Sequence, residues 1–291
     1  MNTSFETLDY AVFGIYAIVI LGVGLWVSRD KKGETKSAED YFLASKSLPW
    51  WAIGASLIAA NISAEQFIGM SGSGFAVGLA IATYEWMAAL TLIIVGKFFL
   101  PIFIKKGLYT IPEFVEKRFS SQLKTILAVF WIGLYVFVNL ASVMYLGGLA
   151  LQTILGIDML TGVIGLAAFA AAYSLYGGLS AVAWTDIIQV VVLILGGLVT
   201  TYLALDTVSG GQGFMEGLTT IYNAVPEKFD MILDRSNPEF MNLPGIGVLI
   251  GGMWVANLYY WGFNQYIIQR TLAAKSLEES QKGILFAAGL K

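Results

Sequence analysis

The chain has 291 residues, of which 57% are hydrophobic and 13% are charged, with a formal net charge of −3. Soluble domains carry about 25% charged residues, so the composition predicts an integral membrane protein and argues against a nucleic-acid partner. Because the sequence contains neither Cys nor His, disulfides, thiolate nucleophiles, Cys/His zinc sites and imidazole proton relays are excluded.

Apolar stretches predict seven membrane-spanning helices and the start of an eighth. The first follows Glu6 and Asp9, without a preceding Lys or Arg, so we expect a retained helix rather than a secretory signal. Because the eighth apolar run is still in progress at Lys291, we expect the sequence to be part of a longer transmembrane domain. The predicted ranges are 10–28, 50–73, 80–100, 123–150, 159–176, 181–204 and 244–267, with the eighth helix beginning near Gly283.

The distribution of Lys and Arg predicts the orientation of these helices. The loops 29–48 and 105–124 carry five basic residues each, whereas Lys228 and Arg235 are the only two in segment 206–243. Basic loops stay on the cytoplasmic side, so we predict a multi-pass protein of the cell inner membrane with its N-terminus outside. Loop 105–122 is predicted to hold an interfacial amphipathic helix, and 206–243 to form short helices over the outer face.

The predicted second helix carries polar residues in its middle. Asn61, Ser63, Glu65 and Gln66 interrupt the apolar stretch 50–74, where a charge at the bilayer centre costs at least about 2.5–3.5 kcal/mol. Consecutive residues point about 100° apart on a helix, so Glu65 and Gln66 share a cavity only if the helix is broken. We predict an unwound segment whose free carbonyls bind a cation; a polar network between helices without a ligand is the alternative.

Glu85 lies between two aromatic residues, in Tyr84-Glu85-Trp86. A carboxylate flanked by rings suits a sugar, because the acid accepts hydrogen bonds from hydroxyls and the rings stack on apolar sugar faces. The alternative is a glutamate at the membrane interface, within a belt of aromatic residues.

A second polar and aromatic group lies in the predicted helix 244–267, and we interpret it as part of a binding cavity. An aromatic belt at the inner interface is the alternative. Its members are Asn257, Tyr259, Tyr260, Trp261, Asn264 and Gln265.

Two predicted helices thus contain mid-span polar residues, and both contain an Ala-Asn pair, at 60–61 and 256–257. Corresponding interrupted helices in two halves indicate an inverted-repeat transporter. On this interpretation 50–204 is a first repeat of five helices, 244–291 begins the second repeat, and 10–28 is an extra helix.

Three blocks of sequence resemble the sodium/solute symporter family. They are YFLASKSLPWWAIGASLIAANIS at 41–63, YGGLSAVAWTDIIQ at 176–189 and NQYIIQRTLAAK at 264–275. Within the family, Gln66, Glu85 and NLYYW at 257–261 are similar to the sodium/glucose branch, the bacterial sodium/galactose transporters in particular.

The resemblance implies a fold and an activity. The expected fold is an all-α integral membrane protein with a LeuT-type five-plus-five inverted-repeat core. The expected activity is sodium-coupled symport of a hexose, galactose or glucose, by alternating access, with the sugar, the sodium ion and the lipid bilayer as partners. Sodium is the co-transported ion; no organic cofactor and no enzymatic activity are expected.

The resemblance also implies roles for individual residues. The sodium ion would bind the backbone carbonyls of Ala59 and Ile62, together with hydroxyls from a later helix beyond Lys291, and would leave past Asp186. From its position alone, Asp186 has an alternative interpretation as an acid that complements the helix dipole near the start of helix 181–204. The sugar-binding residues that the resemblance implies are Gln66, Glu85, Asn257 and Lys291, with Asn61 beside them and Tyr260 stacked on the ring as the inner gate. Tyr84 and Trp261, from the two aromatic groups described above, are added to the expected sugar-binding residues.

One position departs from the sodium/galactose pattern. The residue three positions after Glu85 is Ala88, where those transporters have a serine, so one sugar hydrogen bond of about 0.5–1.5 kcal/mol is lost or passes to water. Two alternatives for the function stay open: a sodium- or proton-coupled symporter of another small solute, with protons on Glu65, Glu85 or Asp186, and a transporter-like sensor.

Overall fold

The computed structural model describes residues 6–29 and 37–291, and these are almost entirely helical. The basic residues Lys31, Lys32 and Lys36, used above for orientation, lie outside the described residues. The α-helices are α1 Thr7–Val27, α2 Ala38–Leu43, α3 Trp50–Asn61, α4 Ser71–Val77, α5 Ala82–Ile94, α6 Leu100–Lys105, α7 Ile111–Arg118, α8 Ser121–Leu134, α9 Ala141–Leu155, α10 Met159–Val208, α11 Phe214–Ala224, α12 Gly245–Ile250, α13 Gly252–Leu258, α14 Gln265–Leu272 and α15 Leu277–Leu290.

Short π-helical and 3-10 segments connect several of these helices. A π-helical turn inserts an extra residue and is frequent at functional sites. Of the four such turns in the described residues, Glu65–Met70 and Tyr259–Phe263 lie in the interrupted helices. The other π-helical turns are Val95–Phe99 and Tyr135–Leu140, and the 3-10 segments are Ala44–Lys46, Leu79–Ile81, Pro226–Phe229 and Pro238–Met241.

Four helices among the described residues are long and apolar enough to cross a membrane, and a fifth span results if a pair bent by 73° is one span. The sequence predicted seven spans and part of an eighth. The numbers differ because the 50-residue helix α10 contains two predicted helices, and because the second predicted helix is divided into short pieces. The four are Thr7–Val27, Leu79–Lys105, Ser121–Leu155 and Met159–Val208, and the bent pair is Pro238–Ile250 with Gly252–Phe263.

The predicted helices 159–176 and 181–204 meet at Gly178 without an intervening loop. Gly178 has φ 57° and ψ −148°, a conformation that essentially only glycine adopts. A Cβ there would lie 2.4 Å from the carbonyl oxygen of Tyr41, so the absent side chain also lets the segment that precedes α3 pack against the junction.

The predicted helix 50–73 is broken in the middle, as the polar residues indicated. Helix α3 ends at Asn61, Ile62 is extended with φ −87° and ψ 115°, and the chain continues as the π-helical turn 65–70 and α4, which ends at Val77. The range 50–73 is therefore corrected to two helical segments that reach Val77.

The predicted helix 244–267 is also divided, and its predicted end is wrong. It bends at Gly251, between α12 and α13, and stops at Asn264, whose φ of −77° and ψ of 119° are extended. The eighth helix begins at Leu277 rather than near Gly283, because the side chain of Ser276 caps it by accepting a hydrogen bond from the Glu279 amide. Because the first residues of α15 are mostly polar, the pattern of apolar residues placed its start too late in the sequence.

Close packing of α15 against α3 holds the centre of the molecule together. A Cβ on Gly283 would lie 2.8 Å from Cβ of Ile53, and one on Gly54 would lie 2.5 Å from the Phe286 ring. Small residues let helices approach closely and gain dispersion contacts. This packing fixes the direction of α15 and thereby the position of Lys291 at its end.

Both regions that the sequence predicted to lie outside the membrane contain helices. Helix α7 begins after Thr110, whose hydroxyl accepts a hydrogen bond from the Glu113 amide at 3.2 Å. Segment 206–243 contains α11 and two 3-10 turns. Its Leu233 and Leu243 pack with Val77 and Ala80, so this segment lies against the end of α4 and the start of α5.

Candidate functional site

A cavity of about 810 Å³ lies where the broken helices meet. This volume is within the range of small-molecule sites. Its walls come from the end of α3, the first turns of α5, the bent helix α12–α13 with its π-helical turn, and the end of α15. The lining residues are Asn61, Tyr84, Glu85, Ala88, Pro244, Gly247, Val248, Gly252, Met253, Ala256, Asn257, Tyr259, Tyr260, Trp261 and Lys291.

The cavity brings together most of the side chains that the sequence selected as sugar-binding. They are Asn61, Tyr84, Glu85, Asn257, Tyr260, Trp261 and Lys291.

Gln66 is the exception, because it is not among the lining residues. Its side-chain oxygen accepts hydrogen bonds from the amide of Ser63 at 2.8 Å and from the hydroxyl of Ser63 at 3.2 Å. In this structure the Gln66 side chain therefore caps the backbone at the break after α3, and its amide does not face the cavity.

An ion pair lies in the wall of the cavity. The ammonium group of Lys291 donates to the carboxylate of Glu85 and to the side-chain oxygen of Asn61. The side chain of Lys291 is 5% exposed and that of Glu85 is 24% exposed, and the ammonium lies 5.2 Å from the ring centroid of Trp261. Burying either charge alone is costly, so each group depends on the other.

Tyr260 is connected to the same cluster through Asn61. The side-chain nitrogen of Asn61 donates to the Tyr260 hydroxyl at 3.1 Å, and the Tyr260 ring packs edge-on against Trp261 with centroids 5.1 Å apart. The side-chain nitrogen of Asn257 donates to the carbonyl of Met253 at 3.1 Å. These contacts orient amide, hydroxyl and aromatic groups around one space.

The two interpretations of Glu85 each describe part of the structure. Glu85 lies in the first turn of α5, as a residue at a helix end would, but it faces the cavity. Trp86 next to it is 59% exposed, as expected for an aromatic belt, whereas Tyr84 on its other side lines the cavity.

The carbonyls of Ala59 and Ile62 lie at the broken end of α3. The amide of Ile62 makes the last helical hydrogen bond, to Ile58 at 3.0 Å, and the next amide, that of Ser63, donates to Gln66 instead. Carbonyls in the last turn of a helix lack intrahelical donors and carry partial negative charge. This end of α3 therefore has the chemistry of a site for a hard cation such as sodium.

Asp186 forms a buried cluster with two residues that the sequence did not select as functional. Ser56 donates to the Asp186 carboxylate at 2.5 Å and accepts from Nε of Arg270 at 2.8 Å, and an Nη of Arg270 lies 3.6 Å from the same carboxylate oxygen. Because the helix restarts after Gly178, Asp186 lies two turns inside it, where the dipole effect has faded. The interpretation of Asp186 as a dipole-complementing acid is therefore wrong.

Comparison with known proteins supports the resemblance seen in the sequence. The model of the sodium:solute symporter family matches residues 41–290. The chain is 72% identical over 284 residues to a Vibrio parahaemolyticus protein named sodium/glucose cotransporter, covering 98% of this chain and 52% of that protein. It is 36% identical over 295 residues to human sodium/myo-inositol cotransporter 2, covering 98% of this chain and 43% of that protein.

A solved structure has the same arrangement of helices. It is a sodium-coupled sialic acid symporter in a substrate-bound, outward-open state, with a TM-score of 0.83 and 25% identity, over 99% of this chain and 57% of that one. The chain spans about half the length of the curated relatives it matches.

These matches agree with a helical, multi-pass membrane architecture of the LeuT type. They point to a transporter rather than an enzyme. The family match extends over most of the described residues, including α3, α5 and α13 at the cavity and α3, α10 and α14, which carry Ser56, Asp186 and Arg270. The chain belongs to the sodium:solute symporter family.

Proposed function

We propose that this protein couples the entry of sodium to the uptake of a hexose, galactose or glucose, across the cytoplasmic membrane by alternating access. The observation that carries the proposal is the chemistry of the cavity. Glu85 and Lys291 neutralise each other, so the space offers hydrogen-bond donors and acceptors without a net charge. Such a lining suits a neutral polyhydroxyl compound better than an ion.

In this proposal, Glu85, Lys291, Asn61 and Asn257 hydrogen-bond the sugar hydroxyls. A ligand hydroxyl both donates and accepts, so it can insert between the Lys291 ammonium and the Glu85 carboxylate without leaving either unpaired. The relative named sodium/glucose cotransporter, at 72% identity, supports the same class of substrate.

Aromatic rings and one glutamine complete the proposed sugar site. Tyr260 stacks on the pyranose ring and closes the inner side of the cavity, and Tyr84 and Trp261 flank the ring. Gln66 joins the site after its amide leaves Ser63, which links sugar binding to the geometry of the break after α3.

The sodium ion is proposed to bind the carbonyls of Ala59 and Ile62, with hydroxyls from a later helix completing its shell. By ordering the broken end of α3, sodium stabilises an outward-open conformation with a preformed sugar site. Inward movement of one charge gains about 2.3 kcal/mol per 100 mV, in addition to the concentration gradient. Asp186 lies on the proposed exit path of the ion.

The proposed topology follows the basic loops. The N-terminus is outside, and the protein resides in the inner membrane of the cell. Residues 50–204 form the first five-helix repeat, 244–291 begin the second, and 10–28 is an additional helix.

Uptake of labelled galactose tests the proposal. The full-length protein is reconstituted in proteoliposomes, and uptake is compared under an inward sodium gradient and an equal choline gradient. We expect concentrative uptake only with sodium. Competition by unlabelled glucose and myo-inositol then ranks the substrates. Uptake that is indifferent to sodium contradicts the coupling, and absence of galactose uptake contradicts the hexose assignment.

Two substitutions connect uptake to the cavity. Glu85→Gln and Gln66→Ala are both expected to abolish most uptake. The matched control is Glu65→Gln. Glu65 is exposed, lies next to Gln66 in the π-helical turn 65–70, and does not line the cavity. Loss of uptake in Glu65→Gln instead of Glu85→Gln would contradict the site and favour a proton-coupled mechanism through Glu65.

A further inference from the structure

A chain of contacts leads from the cavity to the buried Asp186 cluster. It begins at the pair of Lys291 and Glu85, passes through Asn61 to the hydroxyl of Tyr260, and reaches the hydroxyl of Tyr266, 2.7 Å from that of Tyr260. Because Asn61 donates its N–H to the Tyr260 oxygen, the proton of the Tyr260 hydroxyl is free to point at Tyr266.

The second half of this chain of contacts begins at the backbone of Tyr266. Arg270, one helical turn later, donates from Nη to the carbonyl of Tyr266. The Nε of the same guanidinium donates to Ser56, and Ser56 donates to Asp186. Ser56 is 0% exposed, Asp186 6% and Arg270 9%, so water does not compete effectively for these bonds.

Within this chain of contacts, Tyr266 is the residue whose side chain connects across a helix break, because the helix is broken between it and Tyr260. Tyr260 belongs to the π-helical turn 259–263 and Tyr266 to α14, and extended Asn264 separates them. The bond between the two hydroxyls therefore bridges two segments that can turn relative to each other. At the break itself, Tyr135 from another part of the helical bundle donates to the Asn264 side chain at 2.7 Å and accepts from the Gln265 amide at 3.1 Å. These two bonds hold the extended residue in place.

We propose that Tyr266 is a positioning residue that transmits the state of Tyr260 at the cavity to the Ser56–Asp186–Arg270 cluster across the break at Asn264. The inference rests on the proposed function, since it describes how sugar and sodium influence each other. When Tyr260 moves with the sugar, the hydroxyl of Tyr266 follows or loses its partner, and α14 carries Arg270 with it. Binding on the sugar side thereby changes the strength of binding on the sodium side, and linkage makes the effect reciprocal.

Equilibrium binding of labelled galactose to the full-length purified protein tests this proposal. The dissociation constant is measured in saturating sodium and in choline, and the ratio of the two is the coupling factor. Tyr266→Phe removes one hydroxyl and keeps the carbonyl that Arg270 uses. We expect the coupling factor to fall about two- to tenfold, with the dissociation constant in choline changed less than about twofold. A purely structural role would weaken binding equally in both salts.

Three further variants make the test decisive. Ser56→Ala removes a different link and is expected to lower the coupling factor by a similar amount, and the double variant with Tyr266→Phe to lower it little further. Tyr202→Phe, on α10 with a 52% exposed side chain, is the control and leaves the factor unchanged. An unchanged factor in Tyr266→Phe, or fully additive effects in the double variant, would overturn the proposal. A wild-type factor of one would instead reject sodium coupling itself, and so the proposed function.

Discussion

The ammonium group of Lys291 and the carboxylate of Glu85, 206 positions apart in the chain, form an ion pair in the wall of the cavity. The pair brings the last residue of the sequence against the first turn of α5. Its two members need each other, since a charge that is largely shielded from water is destabilising without a partner.

Replacing one member of this pair is expected to lower the stability of the folded protein more than replacing both. Lys291→Met alone leaves Glu85 without its cation and should destabilise the protein by up to about 3 kcal/mol. Glu85→Gln together with Lys291→Met should recover most of the thermal stability in detergent while sugar uptake stays lost. Equal melting temperatures for the single and double variants would show that water in the cavity already solvates the carboxylate.

Gly178→Ala is expected to destabilise the protein strongly. A Cβ at this position meets the Tyr41 carbonyl at 2.4 Å, and the backbone has a positive φ, which together cost at least about 1–3 kcal/mol. Gly165→Ala, in the same helix with nothing within 4 Å of its Cβ, is the control and should stabilise α10 by up to about 1 kcal/mol. Thermal unfolding of the two variants in detergent measures the contrast, and a similar melting temperature for both would contradict the packing at Gly178.

Ala88→Ser is expected to tighten the binding of galactose. Ala88 lines the cavity one turn from Glu85, and an added hydroxyl there can supply a hydrogen bond of about 0.5–1.5 kcal/mol, or about a two- to tenfold lower dissociation constant. Ala89→Ser is the matched control, because Ala89 is not among the lining residues. Weaker binding in Ala88→Ser would mean that a side chain larger than alanine obstructs the substrate.

The segment that precedes α3 should lose its local order in strong acid. Hydrogen bonds from the hydroxyl of Ser45 and from the hydroxyl and amide of Ser37 lower the pKa of Asp40 from 3.8 to about 2. A lowered pKa stabilises the folded segment above pH 3.8, and this contribution is lost as the pH falls towards about 2. The bond to Ser45 also holds a turn in which Ala44, Ser45 and Lys46 all have positive φ.

Asp40→Asn removes the charge at every pH and gives the sharper measurement. At pH 7 we expect faster hydrogen exchange of the amides around 37–46 in this variant than in the wild type. The melting temperature of the rest of the protein should change little, because Asp40 is at the surface. If exchange is equally fast in both proteins, the Asp40 carboxylate does not hold the turn.

The presence of most helices, and the fact that two of the apolar runs are interrupted, could be predicted from the sequence, for a local reason. Inside a bilayer each backbone polar group needs a partner in its own segment, so an apolar run of sufficient length becomes a helix. Polar residues such as Asn61 mark the interruption itself in the first run, whereas in the second run Asn257 lies inside α13 and the helix is interrupted at Gly251 and Asn264. The predicted boundaries were wrong where a helix begins with polar residues, as at Leu277, or where a single glycine takes the place of a loop, as at Gly178.

The tertiary structure alone decided which side chains meet and which way they turn. Gln66 turns to Ser63 because the broken end of α3 presents an unpaired amide close by, and the identity of a glutamine does not reveal that choice. The contacts of Lys291 with Glu85, and of Arg270 with Ser56 and Asp186, join positions more than 80 residues apart. They depend on how the helices pack, and packing sums many weak contacts that no local pattern in the sequence records.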